Sequence, residues 1–379
     1  MWKGTKTMKN RCYLDVHVLQ TVPPSCVNRD DTGSPKTAIY GGTTRARVSS
    51  QAWKHAMREM FREELIEPDM LGMRTKNVIS MVAEEILKLN PDAKAAELAE
   101  KVLTSAGVKF KDDKKAETKD KKGETKDKKA EALFFMSAAQ AKALAEIAVS
   151  EGTADKEACK KALKDNPSVD IALFGRMVAS EATLNCDASA QVAHSISTHT
   201  VQNEYDYFTA VDDLAPEDST GAGHLGTVEF NSSTLYRYAT VNLVELANAL
   251  GKQVTAETAA KFVEAFVRSM PTGKQNTFAN RTLPSMVYVT IRRDQPVNLC
   301  GAFEKPVSAK NGGYSEESEE KFVEYARKVY SKYASAPDCA FAVGEAVGNL
   351  EECKCMSLDR LLESVAECVK EYLGESEGM

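Results

Sequence analysis

RCYLDVHVLQ (Arg11–Gln20) alternates along its length, with Leu14, Val16 and Val18 on one side and Tyr13, Asp15, His17 and Leu19 on the other. A period of two is the signature of a β-strand, and it predicts a strand with the aliphatic side chains turned inward. The next stretch, VPPSCVNRDDTGSPK (Val22–Lys36), is dense in Pro, Asn, Asp and Gly and reads as a long loop. Ser49 or Ser50 then caps a helix whose buried stripe is Ala52, Trp53, Ala56, Met57, Met60, Phe61 and Leu65. Further on, VDIALFGRMVA (Val169–Ala179) reads as a second strand, and Thr227 to Leu243 and Ser285 to Ile291 read as the third and fourth. Thr255 to Met270 is an amphipathic helix ahead of the fourth strand. Strand, helix, strand, strand, helix, strand is the order of the split βαβ, ferredoxin-like sandwich that RNA-recognition domains share. The predicted class is therefore α+β, with large insertions after the first helix and before the third strand. A last amphipathic helix runs from Leu358 to Leu373.

Charge is unevenly placed. The net charge of −6 argues against a protein that coats nucleic acid with its whole surface. Arg45 to Arg58 nevertheless holds Arg45, Arg47, Lys54 and Arg58 with no acid, and Arg29 and Lys36 lie just upstream. Lys54, Arg58 and Arg62 fall four apart on one helix face, and a helix N-terminus itself favours anions. Thr200 to Thr227 is the reverse, with Glu204, Asp206, Asp212, Asp213, Glu217 and Asp218 and no Lys or Arg. Within it, Tyr205, Tyr207, Phe208, Val211, Leu214 and Leu225 fit either a protruding hairpin with an apolar tip or a segment folded back onto the core. One basic place on an acidic body suits a protein that grips phosphate locally.

Other features exclude more than they assign. Lys109 to Glu131 repeats a heptad three times (Asp113-KKAETK, Asp120-KKGETK, Asp127-KKAE) with ten lysines against seven acids. Almost without apolar residues, it cannot pack, and is expected to be a solvated helical extension or a disordered insert. Gly221-Ala-Gly-His-Leu-Gly226 matches a dinucleotide fingerprint but precedes a strand pattern instead of a helix, so no such site is expected. Gly273-Lys274-Gln275 lacks the hydroxyl residue of a phosphate-binding loop. Nine scattered cysteines without a CxxC read as reduced thiols of a cytoplasmic protein. The basic start Met1 to Arg11 has no apolar stretch behind it, so no secretory signal is expected. No cofactor and no metal ligand set is expected.

LDVHVLQTVPPSCVNRDDTGSPKTAIYGG (Leu14–Gly42) and RARVSSQAWKHAMR (Arg45–Arg58) closely resemble the CasC-type backbone subunit of the type I-E CRISPR Cascade complex. VDIALFGRM (Val169–Met177), HSISTHTVQNEYDYFTAVDDL (His194–Leu214), GHLGTVEFNSSTLYRYATVNL (Gly223–Leu243), QNTFANRTLP and GAFEKPV extend the resemblance. It implies an RRM-like palm (residues 11–62, 167–199 and 228–379), a helical fingers insertion (63–166) and a thumb hairpin (200–227). Copies would stack head to tail along a guide RNA as a helical filament, a heterologous contact that does not close. The implied partners are guide RNA, target DNA paired to it, further copies of the chain, and the other Cascade subunits: the guide-processing endonuclease, the 5′-handle-binding subunit, and the large and small subunits. Arg29, Lys36, Arg45, Arg47, Ser49, Gln51, Lys54 and Arg58 would hold phosphates and sugars without reading sequence. Tyr207, Phe208, Val211 and Leu225 would wedge between bases, with Met177 of the palm packing against the displaced stack. The resemblance implies a scaffold and not an enzyme. The competing expectation is an RNA-cleaving relative of type III effectors, in which Asp206, Asp212 or Asp213 of the thumb would cut target RNA.

Overall fold

The structure, a computed structural model, describes residues 11–112, 128–150, 155–178, 180–210, 213–214, 224–309, 312–350 and 353–375. The chain divides into two compact units. The first comprises Met1–Met60, Val192–Leu243 and Ala259–Met379, the second Phe61–Gln191 and Val244–Thr258. Residues 167–191 and 244–258, expected in the palm, thus group with the helical insertion.

The first unit is built on a large, mostly antiparallel sheet. The opening strand β1 (Tyr13–Ser25) lies between His224–Asn242 and Met286–Arg292, antiparallel to both, with Val16 opposite Ala239 on one side and Val289 on the other. Beyond Met286–Arg292 come Cys339–Val343 and then Cys353–Cys355, the latter pair parallel. Beyond His224–Asn242 come Ser195–Ser197, β3 (Thr43–Val48) and β2 (Thr37–Tyr40), each antiparallel to its neighbour. Helix α1 (Ser50–Met60) follows β3 directly.

The alternation of β1 does not separate a wet face from a dry one. Asp15 and His17 are as fully buried as Leu14, Val16 and Val18, because both faces of the sheet are covered. On one face the guanidinium of Arg237 lies 3.7 Å from the Trp53 ring centroid and 4.7 Å from that of Phe266, and Trp53 Nε1 donates to Ser195 Oγ at 2.9 Å. This ties α1 and the helix Lys252–Arg268 to the sheet. On the other face His17 packs among Tyr238, Tyr288 and Phe322, with ring centroids 5.1–5.7 Å away, Phe322 coming from the helix Ser315–Lys332. Asp15 accepts from Tyr238 Oη at 2.9 Å and from the Val297 N–H at 2.8 Å.

Burial moves these two groups in opposite directions. His17 falls to about 3, by desolvation first and then by the Arg292 charge. Asp15 rises to about 6 by desolvation, against the pull of its donors. The unfolded chain protonates His17 near its ordinary 6.5, so that group costs stability as pH falls from 6.5 towards 3. Folded Asp15 keeps its proton up to about 6 whereas the unfolded carboxyl loses it near 3.8, so that group gains stability over the same descent. The two slopes, each about 1.4 kcal/mol per pH unit, cancel between pH 6 and pH 4. In Asp15→Asn only the histidine slope remains. Relative to the parent, urea unfolding of that variant is expected to lose about 3 kcal/mol on acidification from pH 6 to pH 4. A constant offset between the two proteins would contradict the cancellation.

The second unit is helical, and Val78–Leu89, Ala95–Ala106, Ala138–Ser150 and Lys156–Lys164 bury Val82, Ile86, Leu103, Leu144 and Leu163 in one cluster. VDIALF, expected as the second strand, is a helix here (Val169–Phe174), ended by Gly175 at φ +76°. Val169 to Leu173 are all buried, Asp170 included, so the run has no exposed face whose period would separate helix from strand. The strand beside His224–Asn242 is Ser195–Ser197 instead. The lysine heptads at 113–127 lie outside the described residues. The segments on either side, Phe110–Asp112 and Lys128–Ala130, pair as a two-stranded antiparallel ribbon.

Candidate nucleic-acid interface

The basic residues gather where β3 meets α1. Ser49 caps the helix, its Oγ accepting from the Ala52 N–H at 3.3 Å, and its own N–H donates to Asn28 Oδ1 at 3.0 Å. The loop carrying Asn28 and Arg29 is therefore fastened to the helix start. The loop is stiffened internally, since Asp30 Oδ1 accepts from Thr32 N, Thr32 Oγ1 and Ser34 N, and Lys36 N–H reaches Asn28 O at 2.8 Å. Arg47 donates from Nε to Thr37 O at 3.2 Å and from Nη1 to His194 Nδ1 at 3.3 Å. The Ser50 N–H points to the same Nδ1 at 3.3 Å. Two donors on Nδ1 make it an acceptor, so His194 is neutral with its proton on Nε2. Its pKa is lowered by desolvation and then by Arg47, Lys36 and Lys54. Arg47 touches that imidazole, Lys36 O accepts from the Arg47 N–H at 2.9 Å, and Lys54 stands one helical turn beyond Ser50, whose N–H meets the same Nδ1, so the three cations lie together at the start of α1.

Arg29 and Gln51 are exposed, and Arg58 follows Lys54 by one helical turn. Burial pushes the Cys26 thiol up while Arg29 and then Lys274 pull it back, so Lys274 belongs to this neighbourhood. Gly273 explains its place: a Cβ there would fall 2.0 Å from Val27 O, and only glycine allows the Lys274 loop to lie on that backbone. Lys274 holds φ +48°, a conformation that costs a non-glycine residue about 1 kcal/mol or more. His194 and Lys274 carried no local signal. One is a single imidazole outside any ligand motif, and the other follows Gly273 in a loop without the hydroxyl residue of a phosphate-binding motif.

Arg45 is a correction. It is completely buried, donating from Nε to Thr43 Oγ1 at 2.9 Å, from Nη1 to Ser197 O at 2.9 Å, and from Nη2 to Phe303 O at 3.0 Å and Glu304 O at 3.2 Å. With every nitrogen engaged it joins β3 to two distant segments and has no face left for phosphate. Arg47, two residues on, remains partly exposed.

The hairpin is formed by Glu204–Ala210 against His224–Phe230, with all seven residues of the first strand exposed. Its register divides the expected wedge between two faces. Tyr205, Tyr207 and Thr209 lie opposite Glu229, Thr227 and Leu225 on one face, and Asp206 and Phe208 lie opposite Val228 and Gly226 on the other. Tyr207 and Leu225 therefore do not share a face with Phe208. The Phe208 ring crosses the ribbon over Gly226, where a Cβ would stand 2.3 Å from its Cζ. That glycine, not a cofactor, accounts for the end of the GxGxxG match. At the base, Phe230 meets Phe278 at 5.8 Å, and Asn203 links Glu229 to Asn231. Val211 and Asp212 lie outside the described residues.

Met177 belongs to the second unit and is 84% exposed. Its neighbour Arg176 anchors it, donating to Leu184 O at 3.0 Å, Phe135 O at 3.1 Å, Gln140 Oε1 at 3.2 Å and Leu163 O at 2.6 Å. Among the described residues no group of three or more His, Cys, Asp or Glu is placed to hold a metal.

Fold and site together define a mixed α+β protein with a cation cluster at a helix start and an exposed aromatic hairpin on the same unit. Residues 14–371 match the CT1975-like protein family, and the chain belongs to it. Among solved structures, a chain of a CRISPR RNA-guided surveillance complex, pre-nicking, is 30% identical, with a TM-score of 0.76 over 94% of this chain and all of that one. A chain of a second CRISPR RNA-guided surveillance complex is 26% identical, with a TM-score of 0.60 over 94% of this chain and 99% of that one. No curated protein matches the chain.

Proposed function

We propose that the chain is a non-catalytic backbone subunit that polymerises along CRISPR guide RNA in the cytoplasm, as in type I-E Cascade. It holds the guide's phosphates and kinks its bases so that the rest can pair with target DNA. Pairing then supplies the sequence specificity, as in other RNA-guided systems. The single observation that carries this reading is the gathering of Lys36, Arg47 and Lys54 at the start of α1, in a chain similar to chains of CRISPR RNA-guided surveillance complexes. Cations at a capped helix start bind ribose-phosphate whatever the base, which a subunit serving any guide requires.

The strand order Met286–Arg292, β1, His224–Asn242, Ser195–Ser197, antiparallel throughout, supports reading the first unit as the ferredoxin-like, RRM-like palm. The second unit is then the fingers and the hairpin the thumb. An acidic thumb repels phosphate, so its aromatic side chains act on bases. The remaining partners are the guide-processing endonuclease, the 5′-handle-binding subunit, the large and small subunits, and neighbouring copies.

Phe208→Ala tests the wedge. The ring carries no charge, so the variant is expected to keep the salt dependence of guide binding while losing about tenfold in affinity, one stacking contact. The periodic reactivity of guide bases to chemical probes should weaken or disappear. An unchanged reactivity pattern would remove Phe208 from the wedge.

A further inference from the structure

Three of the nine cysteines come together at one end of the large sheet. Cys12 immediately precedes β1, and Cys339 opens the strand Cys339–Val343, where it stands opposite Ile291. Cys368 comes from the last helix, Leu358–Glu375. All nine cysteines are free thiols, yet Cys339 Sγ and Cys368 Sγ are 2.8 Å apart, from positions 29 residues apart in the chain. A disulfide bond is about 2.05 Å long, so linking the two needs less than about 1 Å of sulfur movement and no relocation of either segment. We propose that Cys339 and Cys368 are a modification site, a thiol pair that a peroxide converts to a reversible disulfide joining the last helix to the sheet.

The surroundings hold both sulfurs in place. Arg293 donates its backbone N–H, Nε and Nη2 to the Asp338 carboxylate at 3.0, 3.0 and 2.6 Å, and the Asp338 N–H donates to Ile291 O at 2.9 Å. The chain is thus pinned one residue ahead of Cys339. The same guanidinium lies 5.2 Å from the Tyr372 ring centroid, and Tyr372 Oη, one helical turn past Cys368, stands 3.8 Å from Cys339 Sγ. Leu361, Val365, Val369 and Leu373 seat the helix through their buried side chains.

Access sets the order of the chemistry. Cys339 is half-buried, whereas Cys368 is buried and burial pushes its thiol up, so Cys339 meets the oxidant first. The Cys339 sulfur attacks one peroxide oxygen, an S–O bond forms as the O–O bond breaks, and the leaving hydroxide takes the Cys339 proton as water. The Cys368 sulfur then attacks the sulfenic sulfur. An S–S bond forms as the S–O bond breaks, and the second hydroxide leaves with the Cys368 proton. Two thiols and one hydrogen peroxide become one disulfide and two waters, and a thiol reductant reverses the change by exchange. Cys12 is buried, with its thiol pushed up to about 12 by burial first, and is shielded from the oxidant.

The test treats the purified full-length chain with a molar excess of hydrogen peroxide and then removes the peroxide with catalase. Thiol titration in denaturant should find two fewer than the nine of the untreated chain. Non-reducing digestion should give one cross-linked peptide pair, containing Cys339 and Cys368. The urea midpoint should rise by about 1 M, because the closed loop restricts the unfolded chain, and dithiothreitol should return it. Cys368→Ser should form no disulfide and carry Cys339 on to the sulfinic acid, whereas Cys12→Ser should oxidise as the parent does. Peptide mapping of the parent decides the matter even if a variant fails to fold. Retention of all nine thiols, a cross-link through Cys12, chains joined to one another, or sulfinic acid at Cys339 of the parent would each overturn the pair.

Discussion

Arg45→Ala is expected to destabilise the first unit by about 4 kcal/mol, read as a lower urea midpoint with little change in slope. The arginine feeds two buried carbonyls, Ser197 O and Phe303 O, and the half-buried Glu304 O, besides Thr43 Oγ1. Each buried acceptor left without a donor costs about 1–3 kcal/mol, so the sum rests on the carbonyls alone. Arg45→Lys separates the structural role from a phosphate-binding one. It keeps the charge but brings a single nitrogen to a site using three, so it should recover less than half of the loss. Were Arg45 a phosphate ligand, lysine would largely restore RNA binding and alanine would leave stability unchanged.

The opposite behaviour is expected at the surface cluster. Lys36→Ala with Lys54→Ala should leave the urea midpoint within about 0.5 kcal/mol of the parent, since such surface changes seldom do more. The same pair should weaken binding to single-stranded RNA about 10- to 30-fold at 0.1–0.2 M salt. The slope of log K against log salt should flatten by about 1.4, which is about 0.7 for each phosphate released. Arg47 is kept in this experiment because it also holds His194 and Thr37 O. An unchanged slope would take the start of α1 out of the RNA path. Seen together, the two experiments assign basic residues nine positions apart in sequence to different duties: Arg45 to folding, Lys54 to binding.

The local reading succeeded where one side chain's period answered to one environment. The helix behind Ser49 declares itself through a 3.6-residue stripe, because Trp53, Met57 and Met60 are buried while Gln51 and His55 are exposed. The strands at His224–Asn242 and Met286–Arg292 are covered on both faces over most of their length, and their β-branched and aromatic side chains mark them instead. The reading failed where both faces are buried and composition does not separate helix from strand. VDIALF buries even Asp170, so no exposed face reveals its period, and it folded as a helix. Asp15 and His17 look like a solvent face and are the core of one, since the helix Ser315–Lys332 that covers them lies some 300 residues away in sequence.

From the chain alone came the α+β class, the basic start of α1, the acidic arm with its aromatic residues, and the resemblance that joins them. These depend on composition and on spacing over a few residues, which local sterics and hydrogen bonding translate directly. Which arginine is buried, that Lys36 and Arg47 join Lys54 at the start of α1, and that Tyr207 and Phe208 face opposite ways were settled only by tertiary structure. Each depends on strand register and on segments far apart in the chain, and a shift of register by one residue would reverse every face.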